Sequence, residues 1–197
     1  MKMLYTVYKQ EGAGELWRRF RFRCFRVNSF YVFTLNLAAS LPKFGPSSTL
    51  TISERTFREL DRLRKDQPGL TSEFFRDRIG TEKRCFLATT SDNNPACIIW
   101  ISPTPSSGFV TADELHPEMN HIFCIPRYRG QHLCTATVSF LSHCLQEEGC
   151  RFISVVTHED NIALMTVIRR CGFRHTGQII RRWAFFKWPL KVVPRPS

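Results

Sequence analysis

The chain has 197 residues, 43% hydrophobic and 23% charged, with 28 Lys+Arg against 17 Asp+Glu and a net charge of +11. That apolar content excludes disorder throughout, and the length suits one domain with a sizeable core. A membrane span and a signal peptide are not expected: the most apolar stretch, Phe30 to Leu41, is broken by Thr34, Asn36 and Ser40, and Met1-Lys2-Met3-Leu4 runs straight into polar residues.

From the N-terminus, Leu16, Trp17, Phe20, Cys24 and Val27 recur at helical spacing and predict an amphipathic helix over Glu15 to Val27. The alternation Arg19 to Arg23 also suits a strand. Phe30 to Leu37 reads as a strand and Pro42 to Ser48 as a loop. A strand at Thr49 to Ile52 is followed by a helix with Ser53 as its expected N-cap, and Pro68-Gly69 ends it. A further helix is expected from Thr71 to Ile79. The strands Cys85 to Thr90 and Ala96 to Ser102 flank the turn Ser91-Asp92-Asn93-Asn94-Pro95. Phe109 to Leu115 is a short strand or a rim loop. Met119 to Ile125 is a strand, His132 to Glu148 a long helix closed by Gly149, Phe152 to Val156 a strand and Asn161 to Arg170 a helix. Thr176 to Arg182 and Trp183 to Trp188 are expected as a last strand pair. This order implies a mixed α/β fold. The expected layout is a basic helical extension over 1–29, a single domain over 30–190 and a basic tail over 191–197.

The eight cysteines form no C-x-x-C pair, and most lie in apolar runs as small hydrophobes, which fits a reducing cytoplasm and no metal site. Positive charge crowds at Arg18, Arg19, Arg21, Arg23 and Arg26. From Asn161 to Ser197 there is no acidic residue at all. Such a balance favours anions, whether a phosphorylated cofactor, an anionic surface or nucleic acid, and does not choose among them.

The informative segment is Ile122 to Leu133, an apolar strand running through Pro126 and the basic turn Arg127-Tyr128-Arg129-Gly130-Gln131 into a long helix. A helix start presents unpaired N–H groups and the positive end of the dipole, so the junction suits a phosphate. A plain structural connector fits these residues too.

Arg127-Tyr128-Arg129-Gly130-Gln131-His132 resembles the Q/R-x-x-G-x-G/A signature of the GNAT superfamily of N-acetyltransferases. Asn161-Ile162-Ala163 and Cys171-Gly172-Phe173 resemble the second motif of that superfamily, at matching separation. The resemblance covers about Arg84 to Trp188. It implies a central, mostly antiparallel mixed sheet flanked by helices, and acetyl-CoA or another acyl-CoA as cosubstrate. Phe123 and Cys124 would then hold the pantetheine arm through their backbone. The N–H groups of Arg129, Gly130, Gln131, His132, Leu133 and Cys134, with the Thr135 hydroxyl, would hold the pyrophosphate, and Asn161 the arm nearer the thioester. Three positions depart from the pattern: His132 and Cys134 stand where small residues are usual, and Ile168 where a Tyr commonly acts as general acid.

An amine must lose a proton before it attacks a thioester. Strand alternation places Glu118, Asn120, Ile122 and Cys124 on one face, and family members often carry a Glu or His here. Glu118 is the expected base, His116 its companion and His121 a core residue. The resulting expectation is an N-acetyltransferase acting on a primary amine of a small molecule, amino sugar or amino acid, with a homodimer left open. The alternatives are a CoA-binding module without activity, or a basic nucleic-acid or membrane-surface binder drawing on Phe185-Phe186-Lys187-Trp188 and the tail.

Overall fold

The computed structural model describes residues 27–42, 50–79, 84–102, 110, 113–183 and 189–194. Of the helix expected over Glu15 to Val27, all but Val27, which opens the first strand instead, lies outside the described residues, as do its arginine cluster, the expected loop beyond Pro42 and Phe185 to Trp188. The strands are β1 (Val27–Asn36), β2 (Leu50–Arg55), β3 (Arg84–Thr90), β4 (Pro95–Ser102), β5 (Glu118–Cys124), β6 (Phe152–His158), β7 (Arg174–Trp183) and β8 (Pro189–Pro194). The helices are α1 (Phe57–Asp66), α2 (Leu133–Glu147) and α3 (Ile162–Arg170).

The chain divides into two compact units. In the smaller one, His158 Nε2 meets Asn28 Oδ1 at 3.1 Å and its ring packs edge-on to Phe30 at 5.3 Å. There β7 pairs antiparallel with β8, Ile179 opposite Val193 and Arg181 opposite Lys191. The last strand therefore falls later than Trp183 to Trp188, and Lys191 to Pro194, expected as tail, belong to it.

The larger unit, Val32–Thr157 with Asn161–Thr176, carries the site. Its strands follow the order β2-β3-β4-β5-β6-β1-β7. The β2–β3, β3–β4 and β4–β5 ladders are antiparallel and β5–β6 is parallel. Helices cover both faces, so every residue of β4 is buried and the strand is apolar without alternation from Pro95 to Ile101. On one face Leu60, Phe74, Cys85, Leu87, Ile98 and Trp100 form a cluster, and the Trp100 indole donates to the Glu73 carbonyl at 2.9 Å. Val138, Leu141 and Leu145 of α2 are buried as well. Each such side chain contributes roughly 1.5–3 kcal/mol through burial.

α1 begins three residues later than the expected Ser53 cap, because β2 continues to Arg55. Thr56 caps it instead: its hydroxyl accepts from the Glu59 N–H at 3.3 Å, and the Glu59 carboxylate accepts from the Thr56 N–H at 2.7 Å. The helix expected from Thr71 is a 3-10 segment over Ser72–Ile79, kinked at Phe75. Its carbonyl at Phe74 accepts from the buried Arg64 guanidinium at 2.9 Å, and Asp77 pairs with the same group.

Arg84 ties three elements together, meeting Glu54 of β2 at 2.8 Å and Glu148 after α2 at 2.6 Å. The Arg84 hydrogen bond holds the Glu148 carboxyl below its usual 4.5, against an opposing effect of burial. A carboxylate whose native pKa is depressed contributes stability that is complete above the unfolded value and is lost as pH falls through the native one. Arg84→Met is therefore expected to flatten the loss of stability below pH 4.5. Urea midpoints on either side of that pH, compared with wild type, would check it.

Candidate functional site

β5 shapes the site through two irregularities. Against β4, Trp100 pairs with Asn120 but Ile98 pairs with Phe123, so β5 carries one extra residue between them, a bulge at His121–Ile122. His121 takes φ 48° there, a left-handed conformation uncommon for a side-chain-bearing residue. The second irregularity faces β6. Among the described residues the β5–β6 ladder holds one pair, Glu118 with Ser154, reinforced by Ser154 N–H donating to the Pro117 carbonyl at 3.1 Å.

Beyond the bulge a cavity of about 530 Å³ lies between the end of β5, the turn after it, the first turn of α2 and one side of α3. The turn is set by local chemistry. Pro126 starts a single 3-10 turn, and Gly130 at φ 79° and His132 at φ 58° bend the chain into α2. His132 is the N-cap of α2, but its side chain makes no capping bond. Its Nδ1 lies 3.2 Å from an Arg170 nitrogen. Arginine can only donate, so in this contact the imidazole nitrogen is the acceptor. The positive charge at this point therefore comes from Arg170 on α3.

Phe123, Cys124, Arg129, Gly130, His132, Leu133, Cys134, Thr135 and Asn161 all line the cavity, and Gln131 sits on the same turn. Asn161 also caps α3, accepting from the Leu164 N–H at 3.2 Å. The Arg129 amide is already taken by the Pro126 carbonyl at 3.1 Å, whereas those of Leu133, Cys134 and Thr135 open α2 and have no partner within the helix. The Arg129 side chain is steered by its Nε, which donates to the Cys124 carbonyl at 3.2 Å. No Asp or Glu occurs among the described residues lining the cavity. A Cβ built on Gly130 meets nothing within 4 Å, so the turn is open to an approaching group. Two arginines, unpaired helix amides and an open glycine turn fit a polyphosphate ligand.

The expected proton acceptors stand elsewhere. Glu118 is 2% exposed, a buried carboxylate where β5 and β6 meet. His116 pairs with Asp113 at 2.8 Å and stacks on Phe152. Neither is among the residues lining the cavity. The bulge breaks the alternation between Asn120 and Ile122, so the expected common face of Glu118, Asn120, Ile122 and Cys124 does not hold. It also overturns the core reading of His121. That side chain is 32% exposed, and its Nδ1 lies 3.6 Å from the Glu73 carboxylate. Hydrogen bonds from Arg76, at 2.8 and 3.0 Å, hold the Glu73 carboxyl below its usual value despite partial burial, and keep it an anion beside the imidazole. Only a three-dimensional register reveals this pair. Ile168, at the usual Tyr position, is fully buried in the core.

The model of the acetyltransferase (GNAT) family matches residues 51–173. The chain belongs to the GNAT family. Its fold is similar to a GCN5-related N-acetyltransferase from Kribbella flavida, at 12% identity and TM-score 0.55, covering 87% of this chain and 63% of that one. It is also similar to a GCN5-related N-acetyltransferase from Sphaerobacter thermophilus, at 15% identity and TM-score 0.53, covering 88% and 57%. A putative GNAT acetyltransferase from Novosphingobium aromaticivorans gives 16% identity and TM-score 0.51, covering 76% and 61%. The chain thus spans about three fifths of the length of these structures. No curated protein matches the chain in sequence. The GNAT architecture accounts for the mixed, mostly antiparallel sheet and for the opening between its parallel pair. Acyl transfer is the reaction class of the family. Among the described residues no helix is long and apolar enough to cross a membrane, and no group of side chains is arranged to hold a metal.

Proposed function

We propose that this GNAT chain transfers an acetyl group from acetyl-CoA to a primary amine of a small molecule, amino sugar or amino acid. The observation that carries the reading is the acid-free cavity at the start of α2, with Gly130 on its rim and Arg129 and Arg170 in its wall. Bound CoA would supply a thioester-activated acyl group. The amides of Leu133 to Thr135, with Arg129 and Arg170, would hold its phosphates. The exposed edge of Phe123 and Cys124 and the Asn161 side chain would hold the pantetheine arm. The thiol of CoA is a good leaving group, so Ile168 in place of a general acid is compatible with turnover.

Proton removal from the amine is assigned to β5. Glu118, with His116 as companion, is the carboxylate expected from the sequence. A specific observation favours a second acceptor: the bulge brings His121 to the surface beside the ionised Glu73 carboxylate, which orients the ring and stabilises the imidazolium formed on accepting a proton. A panel of small amines, amino sugars and amino acids, assayed for acetyl-CoA-dependent thiol release with product mass, tests the reading. Acetylated product from at least one acceptor supports it, and thiol release by hydrolysis alone would contradict it.

A further inference from the structure

Three thiols meet beneath the cavity. Cys97 of β4 is fully buried, whereas Cys124 of β5 and Cys134 of α2 are partly exposed and line the cavity. Cys97 neighbours both. Cys97 and Cys124 are also direct cross-strand partners. Their neighbours Ala96 and Ile125 form a hydrogen-bonded pair, the Ile125 N–H donating to the Ala96 carbonyl at 2.9 Å. Cys97 and Cys124 therefore occupy the adjacent non-hydrogen-bonded position, where facing Cα atoms sit about 4.5 Å apart. That spacing lies at the short end of the roughly 4.4–6.8 Å range that disulfides span.

We propose that Cys124 is a site of oxidation by peroxides, and that Cys97 is its resolving thiol, the two closing a reversible cross-strand disulfide between β4 and β5. The two thiols are differentiated for these roles. The Cys97 thiol holds its proton firmly, because its bonds to Cys124 and Cys134 and its burial all favour the neutral form. The Cys124 thiol is lowered by the Cys97 hydrogen bond and, despite some burial, by the nearby Arg129 charge. Reactivity follows thiolate character and access, and Cys124 combines them. Cys85 and Cys171, by contrast, are buried and pushed up to about 12, which leaves them inert.

In the first step the Cys124 thiolate, its proton lost to water, attacks one peroxide oxygen. The S–O bond forms, the O–O bond breaks, hydroxide departs and the sulfur becomes a sulfenic acid. In the second step the Cys97 sulfur attacks that sulfur. The S–S bond forms, the S–OH bond breaks, and the departing hydroxide takes the Cys97 proton as water. Overall, two thiols and one hydrogen peroxide give one disulfide and two waters, and a dithiol reductant reverses the change.

The test uses the full chain, reduced, desalted and treated with a small excess of hydrogen peroxide. Free thiols are then blocked, and the protein is digested without reduction for mass spectrometry. The expected result is loss of two of the eight thiols, one linked peptide pair joining residues 97 and 124, and full recovery with dithiothreitol. In Cys97→Ala the same dose should leave a sulfenic acid at Cys124, trapped by dimedone. Should that buried replacement fail to fold, Cys124→Ser serves instead: it should keep all its remaining thiols at the dose that oxidises wild type. A first-formed link between residues 97 and 134, a link between two chains, or Cys124 oxidising no faster than the other cysteines would each overturn the proposal.

Discussion

Gly130→Asp is expected to abolish binding of acetyl-CoA. Gly130 adopts φ 79° on the open rim of the cavity, and an added Cβ meets nothing within 4 Å there. The fold therefore loses only backbone preference, roughly 1–2 kcal/mol for a left-handed L-residue. The ligand loses far more, because a carboxylate would stand where a phosphate has to approach Arg129 and the α2 amides. Gly130→Asn separates the two effects: it is nearly the same size, tolerates positive φ and adds no charge. In wild type, acetyl-CoA at a hundredfold excess over its Kd is expected to stabilise the native state by about 2.7 kcal/mol. The Asn variant should keep a reduced stabilisation and the Asp variant none. Equal loss in both would assign the effect to backbone shape rather than to charge.

The second large effect is expected at His121. His121→Gln removes the imidazole while keeping a polar side chain at the bulge, and should lower kcat/KM by about 10²–10⁴. Acetyl-CoA affinity should stay near wild type. Glu118→Gln is the matched comparison: neither residue lines the cavity, but Glu118 is buried where β5 meets β6 whereas His121 is partly exposed at the bulge. A larger loss in Glu118→Gln, with His121→Gln unaffected, would return the proton to the carboxylate. Steady-state rates of thiol release across pH decide between them.

Much of the site was legible in the sequence because its determinants are local. A strand ending at Pro126, a basic glycine turn and a long helix occupy consecutive residues, and Asn161 opens the next helix after a strand and a turn. What escaped depends on register. The extra residue at His121–Ile122 leaves no trace in composition, so period-two alternation carried through it placed Glu118 with Cys124 and buried His121. Thr56 was missed as the α1 cap because Ser53 also precedes a glutamate, although only Thr56 has Glu59 at the reciprocal spacing. The buried position of Arg64 rests on the Phe74 carbonyl and Asp77, which the kinked 3-10 segment supplies. The facing of Cys97 and Cys124 follows only once β4 and β5 are in register. His132 was noted as a departure from the signature. Its left-handed φ shows why a small residue is usual there, and the Arg170 contact shows where the positive charge comes from.

Calorimetric titration of the wild-type chain with acetyl-CoA tests the central claim most directly. The account predicts saturable one-to-one binding that weakens as salt rises and disappears in Gly130→Asp. Absence of binding by wild type at millimolar acetyl-CoA would contradict it.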